Sequence, residues 1–231
     1  MPAIYLIRHG QASFGAEDYD QLSPLGEQQS RLLGDWLHRC GQRPARVVAG
    51  SLKRHRQTAE ACLDALPGGY AGEWQIGQGF DEFDHHEVLV RYRPEFDDRA
   101  ALGQFLADSG NPRQAFQQVF TAAVARWVGG AHDDYAESWA GFKTRCNAAL
   151  AELTAQAAEG TTWVFTSGGP ISVIVQQLLG IPDRKIFDLN WTLANTGITR
   201  LMYRPGQVSV GTVNAFPHLD AAGDPQLITY R

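Results

Sequence analysis

The sequence has few cysteines, no long apolar run and no excess of positive charge, and each absence narrows the class of protein. Its 231 residues include three widely spaced cysteines and no C-x-x-C pair, which excludes a disulfide framework and a typical zinc site. No apolar run approaches the ~18–20 residues of a membrane span. The net charge of −5 argues against a general nucleic-acid binder.

The first residues do not have the pattern expected of an export signal. No basic region precedes the first apolar residues, and Arg8 interrupts them early, so we expect a cytoplasmic protein. Apolar residues make up 44% of the chain and charged residues 19%, which is typical of a globular protein. We expect a single domain over residues 1–231, long enough to bury its own core.

Motifs for nucleotide and metal binding are missing as well. The first apolar segment is not followed by G-x-G-x-x-G, and G-x-x-x-x-G-K-[ST] does not occur. His85 and His86 are adjacent and have no third ligand at an obvious spacing. We therefore expect neither a cofactor nor a bound metal, and no nucleic-acid or membrane partner.

Strand-like and helix-like segments alternate along the chain. The strands are expected at residues 4–7, 46–49, 162–166, 197–202 and 207–214. The helices are expected at about 24–40, 51–66, 138–156 and 171–179, with Ser23 and Ser51 as N-caps of the first two. This alternation predicts an α/β protein with three layers, in which helices cover both faces of a mostly parallel sheet.

One segment differs from the rest in composition. Residues from about 92 to 140 are rich in Asp, Ala and Gln, and we interpret them as a helical insertion that covers the active site. The aromatic residues there are expected to pack against one another rather than to bind substrate. They are Phe96, Phe105, Phe116, Phe120 and Trp127.

Reactive side chains follow three of the predicted strands. Arg8 and His9 follow the first strand, the basic segment 51–56 follows the second, and Ser167 follows the strand that ends at Thr166. In a doubly wound sheet, ligands bind beyond the carboxyl ends of the strands. All three segments are therefore expected to face one crevice.

The residue types at these strand ends favour the handling of a phosphate group. Arg8 and Arg54 can each bind phosphate oxygens in a bidentate manner. The helix that opens after Gly169 would present free N–H groups and the positive end of its dipole. A neutral imidazole at His9 could attack phosphorus and form a covalent phosphohistidine, while the arginines stabilise charge on the transferring oxygens.

Several segments, in this order along residues 4 to 202, resemble the histidine phosphatase superfamily, which includes the cofactor-dependent phosphoglycerate mutases. The segments are Leu6-Ile7-Arg8-His9-Gly10, Asp20 to Gly26, Ser51-Leu52-Lys53-Arg54 with Gln57-Thr58-Ala59-Glu60, Phe80-Asp81-Glu82-Phe83, Ser138-Trp139 with Phe142, and Asn195-Thr196-Gly197-Ile198-Thr199. The resemblance implies that His9 is the nucleophile and that Arg8 and Arg54 clamp the phosphate. It further implies that Glu82 is the general acid, and Asp81 or Asp84 are the substitutes for that role.

The sequence departs from the family pattern at two points. Ser167 stands where the family has a second histidine that lines the phosphate pocket. Loss of this charge-assisted donor is expected to cost about ten- to several-hundred-fold in rate unless His55 or His218 compensates. Gly15 stands where the family often has an asparagine.

Polar contacts to the substrate are therefore expected from Gln11, Ser13, Ser167 and Gly168. These departures favour hydrolysis over mutase chemistry, because water is a less demanding acceptor than a second substrate hydroxyl. The expected activity is a metal-independent, phosphohistidine-based phosphatase that acts on a small phosphorylated metabolite or a phosphoprotein. A weak or inactive relative that binds a phosphorylated ligand and a phosphoglycerate-mutase-type transferase are the alternatives, and the chain could be a monomer or a dimer.

Overall fold

The computed structural model describes residues 2–13, 20–72, 74–156, 160–204 and 206–230. Within these ranges six strands form one sheet. They are β1 (Ala3–Arg8), β2 (Pro44–Ala49), β3 (Gln75–Ile76), β4 (Thr161–Thr166), β5 (Ile198–Arg204) and β6 (Gln207–Ala215), and their order across the sheet is β3-β2-β4-β1-β5-β6. All five predicted strands are present, and the two-residue β3 was not predicted.

The centre of the sheet is parallel and one edge is antiparallel. β4 lies between β1 and β2 and runs parallel to both, so that Arg8 is opposite Thr166 and Ala49 is opposite Phe165. β5 is antiparallel to β1, and β6 is antiparallel to β5. The α/β class with a mostly parallel sheet is confirmed. The carboxyl ends of β1, β2 and β4 are therefore neighbours.

Helices lie between and after these strands along the chain. In the described part of the chain they are α1 (Pro24–Arg39), α2 (Lys53–Asp64), α3 (His85–Tyr92), α4 (Arg99–Asp108), α5 (Pro112–Val128), α6 (Trp139–Ala155), α7 (Gly168–Leu179), α8 (Ile186–Asn190) and α9 (Pro217–Asp220). Across the same residues, no helix has the length and apolarity needed to cross a membrane. α1 begins as predicted, because the Ser23 hydroxyl accepts the Gly26 N–H and Pro24 is the first helical residue.

The predicted N-cap of α2 is wrong. Leu52 occupies the N-cap position and makes no side-chain capping bond. Ser51 instead donates both its backbone N–H and its hydroxyl to the carboxylate of Asp81, each over 2.5 Å. A carboxylate is a stronger acceptor than the groups at a helix start, so Ser51 holds the loop that follows β3 rather than the helix.

The two faces of the sheet bury alternate side chains. Tyr5 and Ile7 of β1 belong to a core cluster with Leu33 and Leu37 of α1 and Cys62 of α2. Residues on the opposite face, such as Ile4 and Leu6, are also fully buried, and α7 contacts β1 and β6. This alternation is what a strand covered on both faces requires.

The chain divides into two compact units. Met1–Glu82 with Arg145–Arg231 contains the whole sheet, and Phe83–Thr144 forms the second unit. Inside the second unit, the ring of Trp127 lies 4.6 Å from Phe83 and 5.1 Å from Trp139, measured between centroids. Phe96 packs against Phe105, and Phe116 stacks on Phe120. The predicted aromatic residues thus form this unit's own core. α3, at its start, was not predicted.

Candidate active site

His9 lies in the loop that leaves β1, at the carboxyl edge of the sheet. Its backbone N–H donates to the carbonyl of Thr166 on β4 over 2.8 Å. Its ring Nδ1 lies 2.7 Å from the carbonyl oxygen of Gly10. A carbonyl only accepts, so Nδ1 carries the proton and Nε2 carries the lone pair. In this tautomer, Nε2 is the ring nitrogen of His9 that has a lone pair to offer to a ligand.

The backbone of His9 is fixed from the β5 side. The Asn195 side-chain amide donates to the His9 carbonyl over 2.9 Å, and the Thr196 N–H donates to the Arg8 carbonyl over 3.0 Å. Thr196 adopts a left-handed conformation with φ of 58°, which is uncommon outside glycine and is maintained by surrounding contacts. Asn195 and Thr196 belong to a segment that resembles the family, but their contacts with the backbone of Arg8 and His9 were not predicted.

Gly10 allows the loop after His9 to cross the start of α1. A Cβ at this position would lie 2.4 Å from the carbonyl oxygen of Gly26, which belongs to the helix backbone. The Gly10 N–H donates to the hydroxyl of Thr58 on α2 over 3.0 Å. Only glycine fits at position 10, because the backbone of α1 packs against it. This packing also fixes the Gly10 carbonyl that binds the His9 ring.

Electrostatics keep His9 in its neutral form. Burial and the nearby guanidinium groups of Arg54 and Arg8 hold the pKa of His9 well below its usual range. A protonated imidazole cannot attack phosphorus, because it has no lone pair available. The same arginines that would attract a phosphate thus also keep the nucleophile reactive.

Arg8 is anchored to the C-terminal part of the chain. It is buried, and its Nη1 donates to the carbonyl of Leu193 and, over 3.1 Å, to the carbonyl of Tyr230. A guanidinium carries five N–H donors in a planar fork, and these two bonds fix the position of Nη1. The role of Arg8 as a phosphate clamp stays a prediction, and the anchoring to Leu193 and Tyr230 was not predicted.

Arg54 lies on the first turn of α2 and is paired with Asp20. Its Nη1 lies 2.6 Å from Oδ1 of Asp20, and Oδ2 of the same carboxylate accepts the Lys53 N–H over 2.8 Å. Arg54 is buried, so this pair sets where the guanidinium points. The sequence places Asp20 only in the segment that leads to α1, and its contact across 34 positions has no local sequence signal.

Glu82 is the one predicted acid that lies at the start of α7. Its Oε2 accepts the Gly169 N–H over 3.1 Å. Asp81 is bound to Ser51 instead, and Asp84 caps α3 of the second unit by accepting the Glu87 N–H. Of the three carboxylates considered from the sequence, Glu82 is therefore the one bonded to the start of α7, and its role as the acid stays a prediction.

Ser167 lies at the carboxyl end of β4, directly before α7, and is fully buried. Its Oγ is 2.6 Å from Nε2 of His55, which is also fully buried on α2. The rings of His55 and His9 are 5.8 Å apart, measured between centroids. The structure thus brings His55 into the site together with His9 and Ser167.

His218, the other candidate for compensation, has different neighbours. Its Nε2 is 2.8 Å from the hydroxyl of Thr196, and its ring faces Trp36 of α1 at 6.5 Å. Burial lowers the pKa of His218 to about 3. It is a neutral core histidine that supports the Thr196 turn from behind.

Gln11 and Ser13, which were predicted to contact the substrate, form hydrogen bonds with other loop residues. The side chain of Gln11 accepts the Ser23 hydroxyl over 2.9 Å, and the Ser13 hydroxyl donates to the Leu22 carbonyl over 3.1 Å. Gly168 is the first residue of α7. Gln11 and Ser13 therefore hold the loop that follows His9, while the prediction for Gly15 lies outside the described residues.

These side chains assemble an anion-binding site around a neutral imidazole. The charges of Arg8 and Arg54 are near enough to lower the pKa of His9. The start of α7 adds the positive end of a helix dipole, and Glu82 places a carboxyl group at that helix start. Such a site can bind a phosphoryl group, accept it on nitrogen and transfer a proton to or from an oxygen. Among the residues that the structure describes, no group of three His, Cys, Asp or Glu side chains is arranged to hold a metal ion.

The family profile of the histidine phosphatase superfamily (branch 1) matches residues 4–215. The chain therefore belongs to the histidine phosphatase superfamily. No curated protein sequence gives a significant match.

Solved structures share the fold at low sequence identity. The phosphoglycerate mutase of Bacillus anthracis is 17% identical with a TM-score of 0.68, and the match covers 96% of each chain. The phosphoserine phosphatase of Entamoeba histolytica, in complex with phosphoserine, is 18% identical with a TM-score of 0.62, over 95% of this chain and all of that one. A putative α-ribazole-5′-P phosphatase from Escherichia coli is 18% identical with a TM-score of 0.62, over 92% of this chain and 96% of the other. At these identities the similarity establishes the fold.

Proposed function

We propose that the protein is a phosphomonoester hydrolase that works through a phosphohistidine at His9, without a metal ion. The observation that carries this proposal is the orientation of the His9 ring, whose Nδ1–H is held by the Gly10 carbonyl over 2.7 Å. This bond leaves the Nε2 lone pair for phosphorus. The substrate class is a small phosphorylated metabolite or a phosphoprotein.

In the first step, the Nε2 lone pair forms a bond to phosphorus while the bond from phosphorus to the ester oxygen breaks. Glu82 donates its proton to the departing oxygen, which leaves as an alcohol. Arg8 and Arg54 stabilise the charge on the three phosphoryl oxygens during transfer. The ion pair with Asp20 fixes the position from which Arg54 would bind the phosphate.

In the second step, water attacks the phosphorus of the phosphohistidine and the nitrogen–phosphorus bond breaks. The Glu82 carboxylate takes a proton from the water, and inorganic phosphate leaves. The two steps return both Glu82 and His9 to their starting protonation states. Water is the proposed acceptor, because Ser167 replaces the histidine that the family pattern provides in the pocket.

The test is steady-state hydrolysis of para-nitrophenyl phosphate in the presence of EDTA, with wild type beside His9→Ala. The aryl leaving group needs little protonation, so the assay tests the nucleophile and the arginines without relying on Glu82. Turnover that disappears in His9→Ala supports the proposal. Equal turnover in both proteins, or none in the wild type, contradicts it. Transfer of phosphate between hydroxyls of a phosphoglycerate, faster than release of free phosphate, would instead favour a mutase.

A further inference from the structure

The surroundings of His9 include an imidazole, that of His55, which the family pattern does not place there. The carboxyl end of β4 provides Ser167, where the resemblance led us to expect a histidine. Nε2 of His55, which comes from α2, lies 2.6 Å from the Ser167 hydroxyl oxygen. An imidazole is therefore present in the site but reaches it from a neighbouring helix.

Close packing fixes the orientation of His55. Position 50 is a glycine, and a Cβ there would lie 2.2 Å from Nδ1 of His55 and 2.7 Å from Oδ1 of Asp81. Asp81, held by Ser51, faces Nδ1 across 3.8 Å, which is too long for a hydrogen bond. The ring therefore has its one close polar partner among the described residues at Nε2, namely Ser167.

The hydrogen-bond pattern places the proton of the neutral ring. Burial and the Arg54 guanidinium hold the pKa of His55 well below its usual range, so the ring carries a single proton. A proton on Nδ1 would be a buried N–H without an acceptor, at a cost of about 1–3 kcal/mol. A proton on Nε2 is donated to the Ser167 oxygen instead. The hydroxyl hydrogen of Ser167 then points away from His55.

We propose that His55 is a positioning residue of this enzyme: it donates from Nε2 to Ser167, and the Ser167 hydroxyl donates in turn to an oxygen of the phosphoryl group on His9. The proposal rests on the proposed function. His55 and Ser167 together take the place of the single histidine that the end of β4 lacks. Ser167 is the residue of the pair that touches the substrate.

The close contact of the pair makes each position restrict the side chain at the other. Ser167 and His55 are both fully buried and only 2.6 Å apart, so an imidazole at position 167 would occupy the space of His55. Ser167→His alone is therefore expected to lower activity. Combined with His55→Ala, the same change has room and restores an imidazole at the strand end.

The experiment compares kcat and KM for para-nitrophenyl phosphate in His55→Ala, His55→Gln, Ser167→His and the double variant His55→Ala/Ser167→His. His55→Ala is expected to lower kcat by about 10- to 100-fold, with a smaller change in KM. His55→Gln keeps an N–H donor at a similar distance and is expected to recover at least about a third of the wild-type kcat. The double variant is expected to exceed both of its single variants. His218→Gln is the matched control, and thermal melting of each variant confirms its folding.

The outcomes separate this inference from the proposed function. Wild-type turnover that is lost in His9→Ala but retained in His55→Ala overturns the inference and leaves the proposed function in place. A folded double variant no faster than Ser167→His also overturns it. Absence of turnover in the wild type overturns the proposed function, and the inference with it.

Discussion

The two buried histidines on α2 and α9 are alike as isolated groups and differ in what surrounds them. His55 and His218 are both almost inaccessible, both have a lowered pKa and both contact a hydroxyl through Nε2. His55 lies 5.8 Å from the His9 ring, measured between centroids, and next to Arg54 in the chain. His218 faces Trp36.

This difference shows that burial and a perturbed pKa do not identify a functional histidine by themselves. The charged groups and the nucleophile around it do so. His55 shares its space with His9 and Arg54, which are proposed to bind a phosphoryl group, whereas His218 shares its space with the Trp36 ring and the Thr196 turn. Substitutions at both histidines and at the charged groups near His55 test this distinction.

The largest effect is expected from removal of the nucleophile. His9→Gln should lower kcat/KM for para-nitrophenyl phosphate by at least about 10³-fold, because no other group replaces its lone pair. His218→Gln is the matched change at the core histidine, and its kcat/KM should stay within about twofold of wild type. Steady-state kinetics of the two variants measure this contrast, and comparable losses in both would remove the distinction.

The next effect concerns the arginine beside His55. Arg54→Ala should lower kcat by about 10²–10³-fold, because one charged donor to the transferring oxygens is lost. Arg46 on β2 provides the control, since its Nη1 and Nη2 bond to Gln156 and the Leu153 carbonyl. Arg46→Ala should leave kcat within about threefold in the same assay. A mild effect of Arg54→Ala in a folded protein would contradict the clamp.

The carboxylates allow a similar contrast between the two compact units. Glu82→Gln should slow alkyl phosphates by about 10²-fold and aryl phosphates by much less, because only an alkoxide needs the proton. Asp84→Asn in the second unit should affect both substrates equally and little, since asparagine also serves as an N-cap. The measurement is the rate at which each variant hydrolyses one alkyl phosphate and one matched aryl phosphate. Equal slowing of the two substrates by Glu82→Gln would exclude it as the acid.

The smallest effect concerns stability rather than rate. His218 has a pKa of about 3 in the folded protein and an ordinary value of 6.5, so between these values the unfolded chain binds more protons. The contribution of neutral His218 to the free energy of unfolding is complete above about pH 6.5. It is lost as the pH falls toward 3, by up to about 1.4 kcal/mol per pH unit. His218→Gln should therefore flatten the fall in unfolding free energy between pH 6.5 and 4.

Urea unfolding of wild type and His218→Gln at several pH values measures this slope, with activity at neutral pH as the control for the site. An unchanged slope would mean that His218 is protonated in the folded protein as readily as in the unfolded chain. A large loss of activity at neutral pH would place His218 in the reaction and contradict its role as a core histidine.

The strand pattern was predictable because buried parallel strands have a strong local signature. The apolar runs of β1, β2 and β4 fixed the sheet centre and therefore the edge at which His9, Arg54 and Ser167 meet. β3, with two residues, is too short to produce a pattern. The loop residue Ser51 was misassigned as a cap, because its acceptor, Asp81, lies 30 positions away.

The sequence alone did not predict the contact between His55 and Ser167, for a related reason. The two residues are separated by 112 positions, and nothing in either segment specifies which imidazole fills the space at position 167. Both His55, next to Arg54 in the chain, and the tail histidine His218 were candidates until the sheet order and the direction of α2 were known. The same holds for Asp20, whose contact with Arg54 exists only in the folded chain.

The most direct test of the central claim is to trap the phosphorylated enzyme. Rapid acid-free quenching after mixing with a ³²P-labelled phosphomonoester, followed by alkaline digestion and peptide mapping, locates the phosphoryl group. A phosphohistidine mechanism predicts an alkali-stable, acid-labile phosphoryl group on the peptide that contains His9, and none in His9→Gln. An acid-stable phosphoryl group on Ser167, or steady turnover without any labelled protein, would contradict it.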